Sequence, residues 1–263
     1  MVKKYINKFH LLFRCKGLTK KHMSSLINRA LLICLVTDLL CMTAHAANTN
    51  NCIQLVSTEK YDEAAPICLN ACNHNDGDGC SGSGVLFFVI QQYSDAKYYY
   101  EKACNLNSGS GCSSLGGLYY YGYGVKQDRN KAKIYYEKAC NLNDGSGCYN
   151  LSSLYFNGHG VGLDYNNAKI YSEKACVLND GTGCRHLGYL YYNGLGVRKD
   201  YSKAKIYSEK ACKLDDGYGC GILGAIYQLG QGVIQDKTLA KLYYKKSCDL
   251  GVKKSCDLYR TLN

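Results

Sequence analysis

The sequence predicts an all-α fold, a right-handed solenoid of disulfide-stapled two-helix repeats, and three observations carry that prediction. A cysteine pair with seven residues between its members recurs at Cys72/Cys80, Cys104/Cys112, Cys140/Cys148, Cys176/Cys184, Cys212/Cys220 and Cys248/Cys256. From Cys104 onward the first member returns every 36 residues, at 104, 140, 176, 212 and 248, a period suited to one helix pair per repeat. Within each period apolar side chains fall at helical spacing, and glycine and aspartate stand where helices would stop and start.

Taken in order, the chain opens with a targeting segment. Basic residues (Lys3, Lys4, Lys8, Lys20, Lys21, Arg29) precede the apolar run 30–42, and Ala44-His45-Ala46 supplies the small-x-small pattern of a signal-peptidase site. Residues 1–46 therefore read as a secretion signal, with Met23 as an alternative start that opens a 24-residue signal of ordinary proportions. The run is shorter than the roughly 20 residues that cross a bilayer and contains Asp38, so no membrane association is expected after cleavage.

Residues 47–263 are expected to form a single solenoid of about six αα units and a capping helix. In the irregular first unit, Cys52 and Cys68 fall on opposite helices of a hairpin and pair with each other. The unit at Cys80 is four residues short and lacks the Gly-x-Gly-Val loop. In the regular units, Leu115, Leu118 and Tyr119, and their counterparts 36 residues on, mark the buried stripe of the first helix. Gly122, Gly158, Gly194 and Gly230 end that helix, and Asp128, Asp164, Asp200 and Asp236 cap the second. Ala132, Tyr135, Ala139 and Leu142 form the expected buried face of the second helix, with lysine and glutamate outside. Small residues at Gly116, Ser152, Gly188 and Gly224 allow close helix approach. Cys256 begins a first helix that caps the array.

The full chain has 17 cysteines, of which 14 follow Ala46. Such density belongs to an oxidising compartment, which places the protein in the periplasm or outside the cell. In each x7 pair the first cysteine lies late in the second helix and its partner (Cys112, Cys148, Cys184 or Cys220 in the regular units) is expected to open the next first helix. The two thus flank a short turn between antiparallel neighbours, where a bridge is sterically natural. Seven disulfides follow. Zinc sites use closer cysteine spacings with histidine partners, so no metal is expected, and no cofactor either. Net charge falls from +11 for the whole chain to +4 after Ala46 (24 Lys/Arg against 20 Asp/Glu), which gives no reason to expect nucleic acid as a partner. A monomer is expected.

The recurring Leu-Gly-x-Leu-Tyr, Gly-x-Gly-Val, Asp-x-x-x-Ala-Lys and Tyr-x-Glu-Lys-Ala-Cys segments resemble the Sel1-like repeat, a relative of the tetratricopeptide repeat, in the form found in the secreted Helicobacter cysteine-rich proteins. The resemblance covers about 52–263. It implies a β-lactam-binding (penicillin-binding) protein with β-lactamase activity, acting on a β-lactam or a peptidoglycan-like small molecule. The residues offer little to carry such chemistry: Ser94-x-x-Lys97 and Ser202-x-x-Lys205 match Ser-x-x-Lys, but Ser-Asp-Asn and Lys-Thr-Gly are absent. Sister units read Asn130-x-x-Lys133 and Asn166-x-x-Lys169 in the same column, so both matches are repeat phase, and no catalytic residue is assigned.

The resemblance also implies a concave groove lined by first-helix side chains that miss the core. Carried over, these are Tyr120 and Tyr121, then Tyr149, Phe156 and Asn157, then Arg185, Tyr189, Tyr192 and Asn193. They vary between units while core and turn positions repeat. A non-enzymatic scaffold for a peptide or protein ligand is therefore the second functional expectation, with aromatic anchors, amides for an extended backbone and Arg185 for a carboxylate.

Overall fold

A computed structural model describes residues 49–262; the segment expected to be a secretion signal, 1–46, lies outside the described residues. The described chain is helical, without strands. Helix α1 covers 49–57, followed by α2 (Tyr61–Asn73), α3 (Gly77–Val89), α4 (Tyr93–Asn105), α5 (Gly109–Tyr121), α6 (Arg129–Asn141), α7 (Gly145–Asn157), α8 (Tyr165–Val177), α9 (Gly181–Asn193), α10 (Tyr201–Lys213), α11 (Gly217–Leu229), α12 (Lys237–Asp249) and α13 (Lys253–Thr261). From α3 to α12 each odd-numbered helix packs on the even one that follows, and the successive odd helices α3, α5, α7, α9 and α11 touch one another. The odd helices thus form the inner layer.

Local chemistry sets the boundaries. Gly122, Gly158, Gly194 and Gly230 take left-handed φ values between 65° and 81° at the ends of α5, α7, α9 and α11, where a Cβ would be penalised. Asp128 accepts the Lys131 N–H at 3.0 Å and caps α6; Asp164, Asp200 and Asp236 do the same for their helices. A second set of caps has no counterpart in the sequence-based expectation. Asp76, Ser108, Asp144, Asp180 and Asp216 cap the odd helices, each preceded by Asn or Asp in a left-handed turn (Asn143 at φ 61°).

Seven cysteine pairs are bonded, with Cα atoms 4.4–5.1 Å apart: Cys52–Cys68, Cys72–Cys80, Cys104–Cys112, Cys140–Cys148, Cys176–Cys184, Cys212–Cys220 and Cys248–Cys256. The pairing is as expected, but the placement of the second cysteines is not. Cys112, Cys148, Cys184 and Cys220 do not open the inner helices; the Ser108, Asp144, Asp180 and Asp216 caps start each helix at the glycine three residues earlier. That extra turn carries the sulfur inward. Cys112, Cys184 and Cys220 are fully buried and pack in the same clusters as Leu115, Leu187 and Leu223, so these bridges belong to the core as well as to the turn.

Leu115, Leu118, Leu151, Leu154, Leu187, Leu190, Leu223 and Ile226 are fully buried between the layers. The second-helix stripe differs from expectation. Tyr136, not Tyr135, enters the core beside Ala132, Ala139 and Cys140, while Leu142 is only partly buried. Tyr136 fits because Gly116 faces it: a Cβ there would stand 2.7 Å from the ring. Tyr135 instead stacks on Tyr119 at the hairpin edge, centroids 5.5 Å apart, and Tyr155–Tyr171, Tyr191–Tyr207 and Tyr227–Tyr243 repeat the stack.

Two lysine columns behave differently on the outer helices. Lys97, Lys133, Lys169 and Lys205 pair with glutamates one turn on, at 2.8–3.2 Å. Lys102, Lys138, Lys210 and Lys246 instead reach back one unit and donate to the carbonyls of Cys72, Cys104, Cys176 and Cys212, at 2.6–2.8 Å. Those carbonyls lie in the last turns of the preceding outer helices, where cations are favoured.

Candidate functional site

Of the nine inner-layer side chains expected to line a groove, seven divide into two groups, while Tyr149 is partly buried edge-on against His186 and Arg185 is ion-paired. Tyr120, Phe156 and Tyr192 are partly buried, each against the first residue of the following helix: Arg129 over the Tyr120 ring at 5.9 Å, and Phe156–Tyr165 and Tyr192–Tyr201 with centroids 5.4 Å apart. Tyr120 is further tied through its hydroxyl to His159 Nδ1, 2.7 Å away in the next unit's loop. These rings are packing.

The second group remains open. Tyr121 is 63 % exposed and Tyr189 42 %, and Asn157 and Asn193 are exposed beside them. Each asparagine donates its Nδ2 to a carbonyl one turn back, Ser153 O at 2.8 Å and Tyr189 O at 2.9 Å, which leaves Oδ1 as an acceptor. Partial burial pushes the Tyr121 phenol up, with Tyr120, Tyr123 and Tyr149 adding to the effect, so the ring presents a neutral hydroxyl. Phe156 links this surface to Tyr189, 6.0 Å away between centroids.

Arg185, expected as a free cation, is committed elsewhere. Its Nε donates to Asp216 Oδ2 at 3.1 Å and its guanidinium lies 5.4 Å over the Tyr218 ring. Asp216 caps α11, so the pair fastens one unit to the next.

A buried polar cluster lies beneath the open surface, and sequence reasoning missed it. Ser172 occupies the column that holds Tyr100, Tyr136 and Tyr244 in three units and Ser208 in another, and His186 from the following helix fills the volume vacated at Ser172. The Ser152 hydroxyl donates to Ala168 O at 2.7 Å, and Ser152 Oγ and Ser172 Oγ, 2.7 Å apart, lie 3.0 and 2.9 Å from His186 Nδ1, within hydrogen-bond distance of the imidazole. The imidazole also packs against Phe156 and Tyr149, with centroids 4.8 and 5.8 Å away. Column comparison held the signal, because a ring lost at 172 reappears at 186. Both serines are fully buried, so the trio is structural despite its nucleophile-and-base composition.

Burial, reinforced by Arg185, lowers the His186 pKa from 6.5 to about 4. The native state keeps the imidazole neutral while the unfolded chain protonates near pH 6.5, so its stabilisation is complete above pH 6.5 and lost as pH falls toward 4. At 1.36 kcal/mol per pH unit, about 2 to 3 kcal/mol should disappear between pH 7.5 and 4.5. Urea denaturation of wild type and His186→Gln at both values checks this: the wild type should show the larger acid loss, and equal losses would contradict the assignment.

Neither Ser-x-x-Lys serine has the surroundings of a nucleophile. Ser94 and Ser202 are exposed on outer helices, and Lys97 and Lys205 are hydrogen-bonded to Glu101 and Glu209, which raises their pKa values and holds them protonated. A protonated lysine cannot take up the serine proton.

A hairpin solenoid with a bridge at every x7 turn defines a class of helical-repeat scaffold, and comparison with known proteins gives the family. The Sel1 repeat model matches residues 75–108, 110–144, 145–180, 182–216 and 218–252. The chain belongs to the Sel1 repeat family. A Sel1 repeat protein from Oxalobacter formigenes is 26% identical, with a TM-score of 0.68 over 79% of this chain and 86% of its own. The protective antigen c5321 of uropathogenic Escherichia coli shares the fold at 21% identity and a TM-score of 0.62; the match covers 82% of this chain but 48% of that one, about half its length. Helicobacter pylori cysteine rich protein B is 44% identical over 49% of this chain and 93% of its own, with a TM-score of 0.42. No curated protein matches.

Proposed function

We propose that the chain is a non-enzymatic binding scaffold of an oxidising compartment, periplasmic or extracellular, whose inner face takes an extended peptide segment of a partner protein. The observation that carries this reading is the exposure of Tyr121 and Tyr189 on the inner layer, beside the solvent-facing amides of Asn157 and Asn193. Tyrosine offers rigid contact area with few torsions to order, and the two Oδ1 atoms suit the N–H groups of an extended backbone. With Arg185 paired to Asp216, the surface favours apolar or aromatic ligand side chains over a carboxylate. The seven bridges fit the compartment. Among the described residues, no helix is long and apolar enough to cross a membrane. The β-lactam-hydrolysing reading implied by family resemblance has no observation of its own in support.

Selection of a displayed random-peptide library on the folded protein tests the proposal. Peptides recovered on wild type should bind Tyr121→Ala/Tyr189→Ala at least tenfold more weakly, since anchor residues typically contribute about 2 kcal/mol each. The melting temperature should hardly move. Undiminished binding would place the contact elsewhere, and recovery of no peptide above background would remove the peptide reading.

A further inference from the structure

We propose that the loop edge of the array binds a linear anionic oligosaccharide, whose sulfate or carboxylate groups sit in two basic grooves two repeats apart. The first groove, of 1020 Å³, lies between α4 and the loop after α5 and contains Lys97, Lys126, Arg129 and Lys131. The second, of 720 Å³, repeats the arrangement with Lys169, Arg198, Lys199 and Lys203. Lys97 and Lys169 are tied to Glu101 and Glu173, but the other three cations in each groove are exposed and pair with no carboxylate among the described residues. One carboxylate stands in each groove, Asp128 or Asp200, already engaged in capping its helix. Each groove is therefore a focus of positive potential in a chain whose charge of +4 after Ala46 conceals it.

The fold does not demand these charges. The loops of the sister units carry Gly162, Leu163, Tyr165 and Asn167, or Ile234, Gln235, Lys237 and Leu239, at the same positions, and they form with the same glycine and aspartate caps. Loops with three such cations alternate along one edge with loops that carry none or one. Packed helices lie 8–10 Å apart, so grooves separated by two repeats stand about 20 Å apart. A linear polyanion that spans this distance engages the second groove at high effective concentration once held in the first. Arg129 and Arg198 can grip a sulfate or carboxylate with two parallel bonds.

Two observations select a glycan over nucleic acid. The disulfides place the chain in an oxidising compartment, where sulfated and uronate-bearing glycans are encountered. Single-stranded nucleic acid also wants open aromatic platforms beside the cations. The rings that floor these grooves, Tyr119 and Tyr191, are buried beneath Lys131 and Lys203, whose ammonium groups lie 5.1 Å above them.

The test is titration of the folded protein with a heparin octasaccharide, its desulfated counterpart and single-stranded DNA of equal charge, at 50–300 mM salt. The sulfated octasaccharide should bind at 150 mM salt and weaken steeply as salt rises. Neutralising either groove (Lys126→Gln/Arg129→Gln/Lys131→Gln or Arg198→Gln/Lys199→Gln/Lys203→Gln) should weaken it at least tenfold. A control, Lys213→Gln/Lys253→Gln/Lys254→Gln, removes three exposed lysines away from the grooves and should change affinity less than twofold. Tyr121→Ala/Tyr189→Ala should bind the octasaccharide normally, which separates this site from the peptide surface. If a triple variant fails to fold, Arg129→Gln and Arg198→Gln alone should each weaken binding about threefold. Absence of binding at 150 mM salt, equal affinity for DNA, or equal loss in the control would overturn the proposal.

Discussion

Reduction of the folded protein should abolish its cooperative structure. From α2 to α12 each helix has 13 residues, a length at which an isolated helix is marginal in water, and the outer helices bury mainly alanine, serine and cysteine. Closing the nine-residue ring of one x7 pair removes unfolded-state entropy worth roughly 2.5 kcal/mol, and seven bridges together about 18 kcal/mol, more than a whole domain's usual net stability. The measurement is thermal melting by circular dichroism with and without reductant, beside non-reducing peptide mapping. A sigmoidal melt should flatten on reduction, and the map should return Cys52–Cys68 and six x7 pairs without an alkylatable thiol after Ala46. An unchanged melt after complete reduction would contradict this account.

Leu187→Ala should cost about 2–5 kcal/mol in urea denaturation. Leu187 is fully buried on α9 and packs in one cluster with Cys184 and Tyr191 from its own helix, Ala204 and Ala211 from α10 and Ile226 from α11. In a one-dimensional array each unit rests only on its neighbours, so a cavity here weakens the junction of the two halves. Leu229→Ala provides the contrast, because that side chain is 59 % exposed and its loss should change stability by less than about 0.5 kcal/mol. Comparable losses in the two variants would mean that the buried row is not what couples the units.

The fold was legible because its signals are local and repeated. Gly122 and Asp128 announce a helix end and a helix start by residue type alone, and Cys140 and Cys148 are close in sequence as well as in space. Where the inner helices start was less plain. The caps at Ser108, Asp180 and Asp216 sit inside the cysteine turn, so Cys112, Cys184 and Cys220 look like the first residues of their helices when they stand one turn in. The inner face was harder still because its outcome depends on partners far along the chain. Tyr135 and Tyr136 both suit the inner stripe, and the choice falls to Gly116, twenty residues earlier, which leaves room for only one ring. Arg185 reads as a free cation until the stacking of units brings Asp216 against it, 31 residues on. Ser172 and His186 look unrelated until the volume one gives up is seen to be filled by the other. Clustering of cations in alternate loops disappears when charge is summed over the whole chain.

The lysines that reach back to the preceding cysteine carbonyl give the array a direction. Lys246 satisfies the end of the helix before it by donating to Cys212 O at 2.8 Å. A 36-residue segment cut between equivalent positions carries one lysine of this column and one cysteine carbonyl, the donor and acceptor that meet at Lys138, Lys210 and Lys246. Duplication or loss of a whole segment therefore preserves this donor–acceptor contact, while contacts particular to one junction, such as Arg185–Asp216, are repeated or lost with their segment. A gene encoding this chain could lengthen or shorten by unequal crossing-over without inventing a new interface, and the reach of the protein would change in steps of one unit.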